Sequence, residues 1–99
     1  MSIGEVTISM IIQQGVYFLY SKKADRYYIG STSDIRRRID EHNKGYCEAT
    51  KFLRPLGLVF FQEYASLSDA RKIEYKLKKL KSRKIIETIL KSGKILLGP

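Results

Sequence analysis

The chain is expected to fold as a small α+β domain: a three-stranded antiparallel sheet flanked by helices, in the order β-β-α-β-α-α. Three observations carry this. Two aromatic and β-branched runs, residues 16–20 and 26–30, flank the polar stretch 21–25, which reads as an antiparallel hairpin. A third such run, Leu58-Val59-Phe60-Phe61, stands alone downstream. Between and beyond the runs, apolar residues recur at helical spacing.

Each element has a local reason. Residues 1–13 form a leader segment or a short edge strand through Val6, Ile8 and Met10. After the hairpin, Ser33 or Asp34 caps a helix that reaches about Asn43, and Gly45 stops it. Residues 46–56 form a loop closed by Pro55, and the third strand, 57–64, is expected to be the most buried. Ser66-x-x-Asp69 resembles a capping box and opens a long helix whose stripe is Ala70, Ile73, Leu77 and Leu80. Residues 85–90 add a further helical turn or two, ended by Gly93. The folded domain is expected to span 14–92, and 93–99 is a tail that docks on the core or forms a dimer contact.

Ninety-nine residues with 43% hydrophobic content suffice for one modest core. Nineteen Lys+Arg against ten Asp+Glu give a net charge of +9, which favours a polyanionic partner. A single cysteine, Cys47, leaves no intramolecular disulfide framework, and a single histidine argues against a Cys/His zinc site. Residues 1–14 carry Glu5 and lack a basic region ahead of an apolar one, so they do not read as a signal peptide. No stretch is long enough to span a bilayer. A cytoplasmic protein that does not engage membranes is expected.

Chemistry-bearing side chains gather in a few places. At ~100° per residue, Ile35, Ile39 and His42 share one helix face and Arg38 borders it, while Arg36 and Arg37 turn to solvent. An arginine beside the core edge suits bidentate contact with a phosphate; the alternative is an ion pair with a surface acid. His42, one turn beyond Arg38, is either a satisfied structural residue or part of a site. Glu74 is the only acid among the eight basic residues between Arg71 and Lys84. It lies beside the buried stripe, either in a salt bridge to Lys78 worth about 0.3–0.5 kcal/mol or as a ligand for one Mg²⁺, which needs few protein groups. Tyr17, Tyr20, Tyr27 and Tyr28 suit a half-buried sheet. A phenol, with a reference pKa of ~10, is a poor base unless nearby cations lower that value; Arg38 and a bound metal are expected to do so.

Taken together these residues resemble the GIY-YIG nuclease family over residues 14–90. Gly15-Val16-Tyr17 stands at the first signature, with valine for isoleucine, and Tyr28-Ile29-Gly30 matches the second unchanged. Arg38 matches the family's phosphate-binding arginine, His42-Asn43 the polar end of that helix, and Glu74 the metal-binding glutamate. Ser31 follows the second glycine, where members like the module of the repair protein UvrC usually carry lysine. Gly30-Ser31-Thr32 and the Thr50…Pro55 loop look more like the small stand-alone members, and Lys22 or Lys23 would be the substitute cation.

The resemblance implies a metal-dependent endonuclease, using Mg²⁺ or Mn²⁺, that hydrolyses DNA phosphodiesters with selectivity for structure, in repair or recombination. Tyr17 would accept a proton from the attacking water and Tyr28 would orient that water. Arg38 would offset charge on the scissile phosphate, Glu74 would hold the metal, and His42 would bond a phosphate or a tyrosine. Gly15 and Gly30 would let backbones pass closely. Arg36, Arg37, Lys76, Lys79 and Arg83 would track the nucleic-acid backbone, DNA being favoured over RNA. The alternative is a catalytically weak nucleic-acid-binding module that depends on a partner protein.

Overall fold

The computed structural model describes residues 13–99, so all but the last residue of the leader expected at 1–13 lies outside the described residues. Strand β1 (Gly15–Ser21) and strand β2 (Arg26–Thr32) form the hairpin, and helix α1 (Ile35–Asn43) follows. A 3-10 turn (Lys51–Leu53) precedes strand β3 (Leu56–Glu63), and helices α2 (Leu67–Leu80) and α3 (Arg83–Ser92) complete the chain. This is the α+β fold in the expected β-β-α-β-α-α order.

The helix ends follow from single side chains. Asp34 accepts a hydrogen bond from the Arg37 N–H, Ser66 from the Asp69 N–H and Ser82 from the Ile85 N–H, so each helix starts on a polar cap. Gly93, with φ of 82°, closes α3 in the left-handed region that glycine enters freely.

The sheet is antiparallel in the order β2-β1-β3. The central strand is thus β1, and it carries the burial expected of β3. Strand β3 is an edge strand with a bulge opposite Phe18 and Leu19, and Leu58 and Val59 stay 43% and 44% exposed. A consecutive apolar run suggests burial on both faces, but an edge position and a bulge leave half of it in water.

Alternation along β1 divides the interior in two. Val16 and Phe18 join Ile29, Phe60, Ala70, Ile73, Leu77, Ile89 and Ile95 in the core beneath α2 and α3. Tyr17 and Leu19 join Ile35 and Leu56 on the opposite face, beneath α1. Leu80, expected on the buried stripe of α2, is 49% exposed because the helix ends there. The tail docks: Ile95 is 5% exposed, and the Gln62 amide brackets its backbone N–H at 2.7 Å and its carbonyl at 3.3 Å.

Candidate active site

The site begins with a missing side chain. Tyr17 on β1 pairs with Gly30 on β2, and the Tyr17 ring lies across that glycine. A Cβ at residue 30 would stand 2.4 Å from both the ring Cζ and the hydroxyl oxygen, so only glycine admits the ring. Gly15 serves the other neighbour: a Cβ there would stand 2.0 Å from the Gln62 carbonyl oxygen on β3.

Helix α1 delivers two partners from successive turns. His42 Nε2 is hydrogen-bonded to the Tyr17 hydroxyl at 2.8 Å, and Arg38 Nε donates to the same oxygen at 3.3 Å. The Arg38 guanidinium also donates to Glu41 at 3.1 Å and to the Cys47 sulfur at 3.7 Å. Of the two contacts its sequence position offered, the ion pair with a surface acid is present, with Glu41, and the guanidinium also reaches the Tyr17 hydroxyl. Behind His42, its Nδ1 is hydrogen-bonded to the Thr50 hydroxyl at 2.6 Å. Asn43 brackets the backbone of Leu56 at 2.9 and 3.1 Å, which ties the end of α1 to the start of β3.

Tyr28, on the same face of β2, stands with its ring centroid 6.4 Å from that of Tyr17 and 5.1 Å from His42. Glu74 comes from the opposite face of the sheet. Ser31, whose side chain alternates to that face, donates its hydroxyl to Glu74 Oε1, and the Lys78 ammonium sits 2.6 Å from Oε2. The same ammonium lies 5.2 Å over the Tyr28 ring. Because β2 is an edge strand, groups from both faces approach one another around it. The Glu74 charge acts on both Tyr17 and Tyr28.

Burial dominates the electrostatics. It pushes the Tyr17 phenol up to about 12, and the Arg38 hydrogen bond pulls in the opposite direction without prevailing. Arg38 by itself does not bring this phenol below its ordinary value, as was expected of Arg38 together with a bound metal: desolvation of a ring only 1% exposed outweighs one partly exposed guanidinium. Burial likewise raises Tyr28, against the Lys78 charge. His42 is brought down to about 4, by burial first and by the Arg38 charge second, so it is neutral at pH 7.

The other candidates are dispersed. Arg36 is exposed, and Arg37 pairs with Glu41 at 3.7 Å beside the site. Lys76 lies on the flank of α2 away from Glu74 and donates to the carbonyl oxygens of Gly98 and Pro99 at 2.6 and 3.0 Å. Lys79 sits 5.9 Å over the Tyr75 ring. Arg83 is held by Asp25 at 2.8 Å and Glu87 at 3.2 Å, far along the sheet. Lys22 and Lys23 belong to the exposed hairpin turn opposite Gly30, so the cation nearest Tyr28 and Glu74 is Lys78.

Three residues of the site are not evident from the sequence. Arg71 joins Ser31, Thr32, Arg37 and Arg38 around a cleft of about 270 Å³; its place three residues before Glu74 is the signal that could have found it. Ser31 and Thr50 stand out in the sequence only within Gly30-Ser31-Thr32 and the Thr50…Pro55 loop, and neither stretch shows the partner its hydroxyl takes. The donor set suits a hydrated Mg²⁺, since Glu74 is a single, partly exposed carboxylate that already accepts a cation at Oε2. Among the described residues, no cluster of three or more His, Cys, Asp or Glu forms a larger metal cage. Likewise, no described helix is long and apolar enough to cross a membrane.

The GIY-YIG catalytic domain family matches residues 13–86. A UPF0213 protein of Listeria welshimeri is 42% identical over 71 residues, covering 69% of this chain and 78% of that protein. The UPF0213 protein YazA of Bacillus subtilis is 32% identical over 69 residues, covering 69% of this chain and 70% of its own length. A UPF0213 protein of Staphylococcus aureus is 33% identical over 76 residues, covering 74% and 93%. No solved structure matches significantly.

Proposed function

The chain belongs to the GIY-YIG family, and from that premise we propose that it is a metal-dependent nuclease that hydrolyses DNA phosphodiesters. The observation that carries the proposal is the convergence of Arg38 and His42 on the Tyr17 hydroxyl at the strand edge beside Glu74.

In this reading Tyr17 acts as its phenolate. Its phenol is protonated at rest, because burial holds it near 12, so it first releases that proton to solvent. The phenolate, held by the Arg38 N–H, then takes the proton of the attacking water. Tyr28 orients the water from the neighbouring ring position. The Arg38 guanidinium, aligned by Glu41 and the Cys47 sulfur, offsets charge on the scissile phosphate. Arg37 and Arg71, which line the adjoining cleft, hold the flanking phosphates, and Arg36, Lys76, Lys79 and Arg83 add a diffuse positive field. Glu74 would hold Mg²⁺ or Mn²⁺, which supplies polarisation of the phosphate and stabilisation of the leaving oxygen. We place the activity in repair or recombination, with selectivity for branched or flapped DNA and with residues 14–92 as the working domain.

One observation favours a second reading. Both Glu74 oxygens already have partners, Ser31 and Lys78, so the resting site is electrostatically satisfied. That suits a nucleic-acid-binding module whose activity depends on a partner protein. Labelled single-stranded, duplex, flap and branched DNA, incubated with Mg²⁺ or Mn²⁺, separates the two. The nuclease reading expects cleavage that Tyr17→Phe and Glu74→Ala both abolish. Binding without cleavage on every substrate supports the module, and cleavage surviving in both variants refutes the assigned site.

A further inference from the structure

We infer that the outer face of α2 is a second nucleic-acid contact, a groove in which an unpaired base of a single-stranded DNA arm stacks on Tyr75. The link from this groove to the scissile phosphate rests on the nuclease reading. The groove itself does not.

Tyr75 is the feature that a merely solvated lysine surface leaves unexplained. It is 66% exposed, on the side of α2 turned away from the buried Ala70, Ile73 and Leu77. Among the described residues its ring meets one charged group, the Lys79 ammonium 5.9 Å from the centroid, and its hydroxyl has no partner. One exposed ring standing alone would need no account. This one lies in a groove of about 590 Å³ lined also by Arg71, Lys72, Lys76, Lys79 and Pro99. Arg71, Tyr75 and Lys79 follow at i, i+4 and i+8, so they form one line along the helix, with Lys72 and Lys76 beside it. No acidic side chain lines the groove. Among the described residues Arg71, Lys72 and Lys79 form no ion pair, whereas Lys76 is taken up by the Gly98 and Pro99 carbonyl oxygens. Three cations without a counter-charge thus surround an open aromatic face.

That combination selects its occupant. The cations complement a phosphate backbone, and the ring offers a stacking surface that a phosphate does not use. In a duplex each base face is covered by its neighbours, so a surface side chain meets only phosphates, sugars and base edges. An unpaired base presents its face, and stacking on tyrosine tolerates any sequence. An acidic peptide would satisfy the cations without using the ring. Arg71 belongs to two places: it lines this groove and also the 270 Å³ cleft that contains Ser31, Arg37 and Arg38. A strand with a phosphate at Arg38 therefore has a continuous positive path over Arg71 to Tyr75. In the nuclease reading this arm is the unpaired flank of a branched or flapped substrate.

The chain contains no tryptophan, so Tyr75→Trp puts a single reporter in the groove and keeps an aromatic surface there. The full chain is titrated in EDTA, where metal-dependent cleavage does not occur. Oligothymidylate should quench the tryptophan fluorescence strongly. An abasic oligonucleotide of the same length and polyglutamate, which carry charge without bases, should quench it far less. Equal quenching by the abasic strand would reduce the groove to a phosphate contact, and equal quenching by polyglutamate would make it an acidic-peptide site; either result overturns the inference. Anisotropy of labelled oligothymidylate gives the second measurement. Tyr75→Ala should weaken binding by about 10-fold or more, Tyr75→Phe should bind like wild type, and affinity for a blunt duplex should change by less than about twofold. Equal weakening on single strand and duplex, or no weakening on either, also overturns it. The position is exposed and alanine is the better helix former, so the variant keeps its fold. Absence of cleavage by the wild type with Mg²⁺ counts against the nuclease reading alone, because stacking is measured without metal.

Discussion

Gly30 shows how much one absent methyl group decides. The Tyr17 ring occupies the space where a Cβ at residue 30 would stand, at 2.4 Å from two of its atoms. Gly30→Ala must therefore displace the ring or spread the hairpin. We expect a loss of about 1–3 kcal/mol in denaturant unfolding, and a larger loss of cleavage than of stability, because the displaced oxygen leaves Arg38 and His42. His42 carries a separate consequence. Its folded-state pKa of about 4 lies below its ordinary 6.5, so protons bind the unfolded chain more readily. The stabilisation from keeping it neutral is complete above pH 6.5 and is lost as pH falls from 6.5 toward 4. Wild type should lose on the order of 2–3 kcal/mol more than His42→Gln over that window. Urea unfolding at pH 7 and pH 4 compares the two chains, and equal losses would exclude His42 as the titrating group.

Helix α2 separates stability from chemistry along its length. Its start depends on Ser66, whose hydroxyl accepts the Asp69 N–H at 3.1 Å. Removing that acceptor in Ser66→Ala should cost about 1 kcal/mol in denaturant unfolding. DNA cleavage should stay unchanged at temperatures where the variant is folded, since Glu74 is two turns further on. The same helix shows what periodicity conveys. Ala70, Ile73 and Leu77 are buried as their spacing requires, and Glu74 lies on the flank of that stripe. Leu80 fits the spacing equally well yet is exposed, because periodicity gives a face and not the point at which the neighbouring sheet ends.

At the scale of the whole molecule, a net charge of +9 does not by itself make an interface. Lys76 is spent on the chain's own tail and Arg83 on Asp25 and Glu87, whereas Arg37 and Arg71 border the cleft at the site. We expect DNA affinity to fall steeply with salt. In a plot of log affinity against log salt concentration, Arg71→Ala should reduce the slope by about one. Lys76→Ala should leave the slope nearly unchanged. Filter binding or fluorescence anisotropy across a salt series measures both, and equal effects would show that the positive field is diffuse.

The element order, the polar helix caps and the i, i+4 placement of Arg38 and His42 are legible in the amino-acid sequence, because they depend on local geometry and hydrogen bonding within a few residues. Gly30 is legible too, through the motif around it. The central place of β1 required the folded sheet, since a consecutive apolar run reads alike in a buried strand and in a bulged edge strand. The pairing of Ser31 with Glu74, the seat of Thr50 behind His42 and the rise of the Tyr17 phenol were likewise tertiary outcomes. Each joins residues from separate elements or depends on how much water is excluded around them. Distance along the chain carries no information about either.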